Sequence, residues 1–106
     1  MDEPSRAAAT PRWWSVGALL LALGDALAAR FSACSVQGEL SGFSRAPSGH
    51  CYFTLKDSDG AAAQLRCAMF RRTAQMLDFA PRDGQQVQLP GRLALHEARG
   101  ELLLIA

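Results

Sequence analysis

Residues 38–57 read GELSGFSRAPSGHCYFTLKD, and the fold is decided there. Two runs with strand character flank a loop of turn formers. The first run ends at Phe43. The loop Ser44-Arg45-Ala46-Pro47-Ser48-Gly49 holds a proline, a glycine and two serines, which leave regular structure for different backbone reasons. From His50 to Lys56 the residues alternate. Side chains in a strand switch faces at each step. Cys51, Phe53 and Leu55 therefore share an apolar face, and His50, Tyr52, Thr54 and Lys56 share the other.

Working outward, residues 33–43 read as a long first strand. Val36 and Leu40 share one face, and Gln37, Glu39 and Phe43 the other. Gly38 and Gly42 weaken a flat strand and mark a bend or bulge, which lets a first strand serve both sides of a small barrel. Downstream, Asp57-Ser58-Asp59-Gly60 forms a tight turn. Residues 61–70 form a third strand, with Ala63, Leu65, Cys67 and Met69 inward and Gln64, Arg66, Ala68 and Phe70 outward. Residues 71–79 suit a short helix that would bury Met76, Leu77 and Phe79, and Ala80-Pro81-Arg82-Asp83-Gly84 stops it. Residues 85–95 alternate again through Val87, Leu89, Leu93 and Leu95 around an interruption at Pro90-Gly91. Residues 96–100 make a hairpin loop and 101–105 a fifth strand. The chain reaches Ala106 while still apolar, so the last strand reads as truncated and the chain as a fragment of a longer one.

The N-terminal part divides in two. Residues 1–14 are a polar, alanine-rich lead expected to be disordered, ending in Trp13 and Trp14. Residues 15–106 form one domain. Ser15 is a good N-cap. After it, Val16, Leu20, Leu23, Leu27 and Phe31 recur at helical spacing, with Leu19 beside them and Asp25 opposite Val16. This helix is expected to pack on the barrel through Val16, Leu20, Leu23 and Leu27, leaving Leu21 off the stripe for a neighbouring domain. The order is helix, three strands, small helix, two strands. That is the pattern of a mainly β fold, the five-stranded Greek-key barrel of oligonucleotide-binding (OB) proteins.

Composition bounds what the domain can do. Its 106 residues are 49% hydrophobic and 20% charged, an ordinary globular balance, and the net charge is only +1. Nucleic-acid binding must therefore depend on where the cations sit rather than on bulk basicity. Rings and cations interleave on the outward faces of the second and third strands: His50, Tyr52, Lys56, Arg66 and Phe70. Phe43 and Arg45 lead into the adjoining loop, and Arg71 and Arg72 follow directly. Bases stack on such rings at about 1–3 kcal/mol each while cations track phosphate, so these nine residues are the candidate site. Stacking is nearly indifferent to base identity.

Other chemistry finds no support. Cys34, Cys51 and Cys67 are an odd set with no C-x-x-C spacing, which argues against a disulfide framework or zinc ribbon and for free thiols in a reducing cytoplasm. His50, Cys51, Cys67 and His96 fit no metal motif. Asp57 and Asp59 sit in a turn that aspartate favours for backbone reasons. No nucleophile, phosphate loop or cofactor motif stands out, so no cofactor and no catalytic residue is expected. A rival reading takes residues 1–28 as a secretory signal ending at Ala26-Leu27-Ala28, leaving a secreted barrel that acts as an adaptor. Asp25 and Gly24 within the apolar run, and Asp2 and Glu3 ahead of it, count against export. The run is too short to span a membrane.

Three words of sequence occur in order: Gly38-Glu39-Leu40-Ser41 followed by Phe43; Ser48-Gly49-His50, Tyr52-Phe53 and Leu55-Lys56-Asp57; and Arg66-Cys67-Ala68-Met69-Phe70-Arg71. Together they resemble the N-terminal OB domain of the exodeoxyribonuclease VII large-subunit family, from about Val16 onward. The resemblance implies an opening helix before the barrel and a module that binds single-stranded DNA. It also implies a parent nuclease, cytoplasmic and with no membrane partner, that degrades single-stranded DNA together with small subunits. Those subunits and the catalytic domain would lie beyond this chain, so the fragment is expected to bind and not cleave. Two departures stand out. Family members commonly carry Asn where Gly42 stands, and an aromatic residue near His96, whose loss removes one stacking platform.

Overall fold

The structure, a computed structural model, describes residues 13–57, 59 and 62–106. Most of the expected disordered lead, part of the turn at 57–60 and the start of the third strand lie outside the described residues. Trp13, at the edge of the lead, is exposed.

The elements follow the expected order, with strand ends displaced by a residue or a few: α1 (Val16–Arg30), β1 (Cys34–Arg45), β2 (Cys51–Lys56), β3 (Gln64–Met69), α2 (Arg71–Gln75), β4 (Gln86–His96) and β5 (Glu101–Ile105). The strands close into a barrel in the order β1-β2-β3-β5-β4. Alternation fills it. Cys51, Phe53 and Leu55 of β2 and Cys67 and Met69 of β3 are buried, and meet Leu40, Leu89 and Leu104 in one core. Neighbouring pairs are antiparallel except β3 and β5, which run parallel and are registered only at Cys67 with Leu104 and Ala68 with Ile105.

Two glycines shape the closure. Gly42 has φ +63° and sits where the β1–β2 register slips, since Ser41 faces Thr54 but Ser44 faces Tyr52. Three steps on β1 thus match two on β2, a bulge of one residue. Asparagine also tolerates this backbone region, so an asparagine at position 42 would meet the same demand. Gly91 sits where β4 changes partners: Pro90 and Gly91 still pair with β1, and Arg92 already pairs with Ile105 of β5. The expected interruption is this handover, and the strand continues through it.

The bulge corrects the expected faces of β1. Without it Phe43 would share the outer face with Glu39. With it, Phe43 opposes Phe53 and packs against the core, ring on ring at 6.0 Å with an interplanar angle of 26°. Its N–H donates to Asp83 Oδ1 at 2.9 Å.

The helices also depart from expectation. Ser15 caps α1 as its chemistry suggests, its Oγ accepting from the Ala18 N–H at 3.1 Å. Yet no α1 residue is buried; Val16 is 76% exposed and Leu23 46%. The helix lies beside β4, tied by the Leu93 N–H donating to the Phe31 carbonyl at 3.0 Å, with Leu20 and Leu27 only partly covered. The closed barrel explains this. Its alternate residues already fill the interior, and no open sheet face is left for a helix to cap. In α2, five residues long, Ala74 is buried, and Leu77 just beyond it packs on the core. Met76 and Phe79 do not join them; Met76 is 78% exposed. No helix among the described residues is long and apolar enough to cross a membrane.

Candidate nucleic-acid interface

One row of three strands builds the site. Tyr52 of β2 lies opposite Ala68 of β3, and Ala68 opposite Ile105 of β5. Strands lie about 4.8 Å apart, so a ring, a methyl and a branched aliphatic follow one another across the outer face. The small middle residue leaves a depression between larger neighbours. It opens into a groove of about 640 Å³ in which Tyr52, Arg66, Ala68 and Phe70 make one side. Glu101, Leu103 and Ile105 of β5 make the other, and His96 and Arg99 close the end at the β4–β5 turn. The groove therefore spans the line where β3 and β5 meet.

The sheet and the segments that leave it hold the functional side chains. Tyr52 and Phe70 stay 38% and 48% exposed although both are large and aromatic. Arg66 donates from Nη1 to Thr54 Oγ1, directly across the β2–β3 pair, at 3.0 Å. A guanidinium has five N–H donors, so this anchor fixes the cation and leaves others for phosphate. Arg99 arrives on a four-residue turn in which its N–H donates to the His96 carbonyl at 3.1 Å and Gly100 adopts φ +59°.

Of the nine residues singled out from sequence, the groove gathers Tyr52, Arg66 and Phe70. Lys56 shares the outer face of β2, four residues from Tyr52 and roughly 13 Å along the strand. Phe43 has turned to the core, as described. Arg45 is paired with Cys51, a core-facing residue, so the same bulge moves it off the groove side. His50 is engaged locally. Its Nδ1 accepts from the Arg71 N–H at 2.9 Å, at the start of α2, and its ring meets Phe70 edge-on at 5.4 Å. That contact braces Phe70. Arg71 lies over Gly49, where a Cβ would approach its Cγ to 2.7 Å, and neither Arg71 nor Arg72 lines the groove. Arg99, Glu101, Leu103 and Ile105 were missed. Period-two alternation in 101–105 was the available signal, since it puts Glu101, Leu103 and Ile105 on one face and Leu104 in the core.

Among the described residues no three His, Cys, Asp or Glu side chains cluster for a metal. Cys51 and Cys67 are fully buried, and burial pushes the Cys67 thiol up to about 11.

A closed five-stranded barrel with rings and guanidinium groups gathered from β2, β3 and the β4–β5 turn defines an oligonucleotide-binding module. The family model described as OB-fold nucleic acid binding domain matches residues 14–106, and the chain belongs to that family. Within it, the chain is similar to exodeoxyribonuclease 7 large subunits. It is 60% identical over 98 residues to that of Delftia acidovorans, covering 92% of this chain and 21% of the relative. With that of Salinibacter ruber it shares 45% over 92 residues, or 87% and 22%. The chain thus spans about a fifth of the length of these relatives. Among solved structures, the SSB domain of a Synechococcus protein superposes with a TM-score of 0.54 at 21% identity, over 72% of this chain and 90% of that one, a likeness of fold.

Proposed function

We propose that the chain binds single-stranded DNA along this groove, as the DNA-holding module of an exodeoxyribonuclease VII large subunit. The observation that supports it best is the meeting in one groove of Tyr52 on β2, Arg66 and Phe70 on and directly after β3, and Arg99 on the β4–β5 turn. Rings take unstacked bases and guanidinium groups take the phosphates between them. A duplex fits poorly, because its bases are already stacked and hidden from the rings. The nuclease names of the relatives support DNA as the polymer. Hydrolysis and contact with small subunits fall to parts of the protein outside these residues, and the three free thiols suit a cytoplasmic setting.

Fluorescence anisotropy with a mixed-sequence single strand across a salt series tests the reading. Tyr52→Ala and Phe70→Ala should each cost about 1–3 kcal/mol of binding and leave the salt dependence unchanged. Arg66→Ala and Arg99→Ala should flatten the log–log slope by about 0.7 each. Arg30→Ala, on α1, should change neither. Folded variants that all bind like the parent would place the binding face elsewhere. The chain alone should leave labelled single strands intact. Cleavage that follows the protein through purification and disappears with a point substitution would overturn that part.

A further inference from the structure

Glu101 is the one carboxylate lining the groove, and phosphate binding gives no reason for it. It opens β5 directly opposite His96, which ends β4, so the two side chains share a face at the turn end of the groove. Arg66 and Arg99 line the same groove, and an acid among them opposes the field that draws phosphate. Among the described residues, no hydrogen bond or ion pair occupies the Glu101 carboxylate. A carboxylate accepts and never donates, so its proper ligand is a donor. Along its length, between the terminal hydroxyls, single-stranded DNA offers donors only on its bases.

We infer that Glu101 reads the edge of a base seated at the His96 end of the groove and selects bases that carry an exocyclic amine over thymine. The inference rests on the single-strand reading above and deepens it. Cytosine turns its N4 amine, and adenine its N6 amine, toward a carboxylate; a carboxylate accepting from cytosine N4 is an established pairing. Guanine offers its N1–H and N2 amine together. Thymine sets a carbonyl at the position of the cytosine amine and keeps a single donor, N3–H, between two carbonyls, so a carboxylate that accepts from it meets an acceptor on either side. His96, on the neighbouring strand, supplies a flat ring beside the carboxylate.

Cytosine and thymine are of equal size, so oligo-dC and oligo-dT of one length separate edge recognition from stacking. Measured at mildly alkaline pH, where cytosine is neutral, the parent chain should bind oligo-dC about tenfold tighter, as for a hydrogen bond to a charged group. Glu101→Gln should weaken oligo-dC, strengthen oligo-dT and bring the ratio near one. Glu101→Ala should do the same and guards against a new contact from the amide; melting curves confirm that both variants fold. Equal binding of the two oligonucleotides by the parent overturns the inference and leaves the single-strand reading standing. So does a Glu101→Gln chain in which both bind tighter by one factor, since Glu101 would then be a charge alone. Failure to bind either oligonucleotide overturns both readings.

Discussion

A methyl group on Gly91 would lie 2.5 Å from the Ile105 carbonyl oxygen and 3.1 Å from its carbon, both backbone atoms. Neither can move without parting β4 from β5. Gly91→Ala should therefore cost about 3 kcal/mol or more in urea denaturation. At Gly42 a Cβ meets nothing within 4 Å, and only the φ of +63° resists it. Gly42→Ala should cost about 1–2 kcal/mol, and Gly42→Asn less. Equal losses at the two sites would contradict the steric argument. The cysteines make a second test. Cys51 and Cys67 are fully buried and Cys34 is partly exposed, so a thiol reagent should label only Cys34 until the chain unfolds. Burial raises the Cys67 thiol from 9.0 to about 11, so the folded state keeps its proton longer than the unfolded state does. The associated stability is complete below the unfolded value and is lost as pH rises from about 9 through about 11. Urea midpoints over that window should fall less steeply for Cys67→Ala than for the parent. Which residues are inward was legible on β2 because its pairing is regular. At Phe43 it was not, because one extra residue reverses the parity of everything after it.

The exposed stripe of α1 bears on stability at the scale of whole elements. Leu23 is nearly half exposed, so Leu23→Asp buries no charge and should shift stability by less than about 0.5 kcal/mol. Leu104, fully buried between β3 and β4, should cost about 2–5 kcal/mol when cut to alanine. Thermal melts of the two variants check both, and a large loss for Leu23→Asp would mean that α1 is wedged into the core after all. Helical spacing tells which side of α1 is apolar. It cannot tell whether anything covers that side, because that depends on whether the barrel leaves a face open. The strands were easier to read, since alternation is local and each strand carries its own record of inside and outside. The β5 face followed the same rule. What it lined depended on a parallel neighbour 37 residues earlier in the chain, Ile105 beside Ala68, and nothing local announces such a neighbour.

For the molecule as a whole, half of the groove was legible and half was not, along the same division. Tyr52 and Arg66 belong to consecutive strands and Phe70 follows the second directly, while Glu101, Leu103 and Ile105 join them only when the sheet rolls up. Loss of residues 101–106 should accordingly abolish cooperative unfolding, since it removes Leu104 from the core and leaves β3 and β4 without the strand that joins them; a retained sharp transition would show that four strands suffice. The closing itself has a mechanical consequence. Two register pairs and the Ala106 N–H donating to the Ala68 carbonyl at 2.9 Å fasten β3 to β5. The cylinder is a split ring with a short clasp, and a strand of DNA laid in the groove lies over the split. Bound only to the fastened form, it would draw the opening equilibrium shut by RT ln(1 + [L]/Kd). Amide exchange at Ala106, and not at the β1–β2 pairs on the far side of the barrel, should slow as oligonucleotide is added, making the clasp a built-in gauge of occupancy.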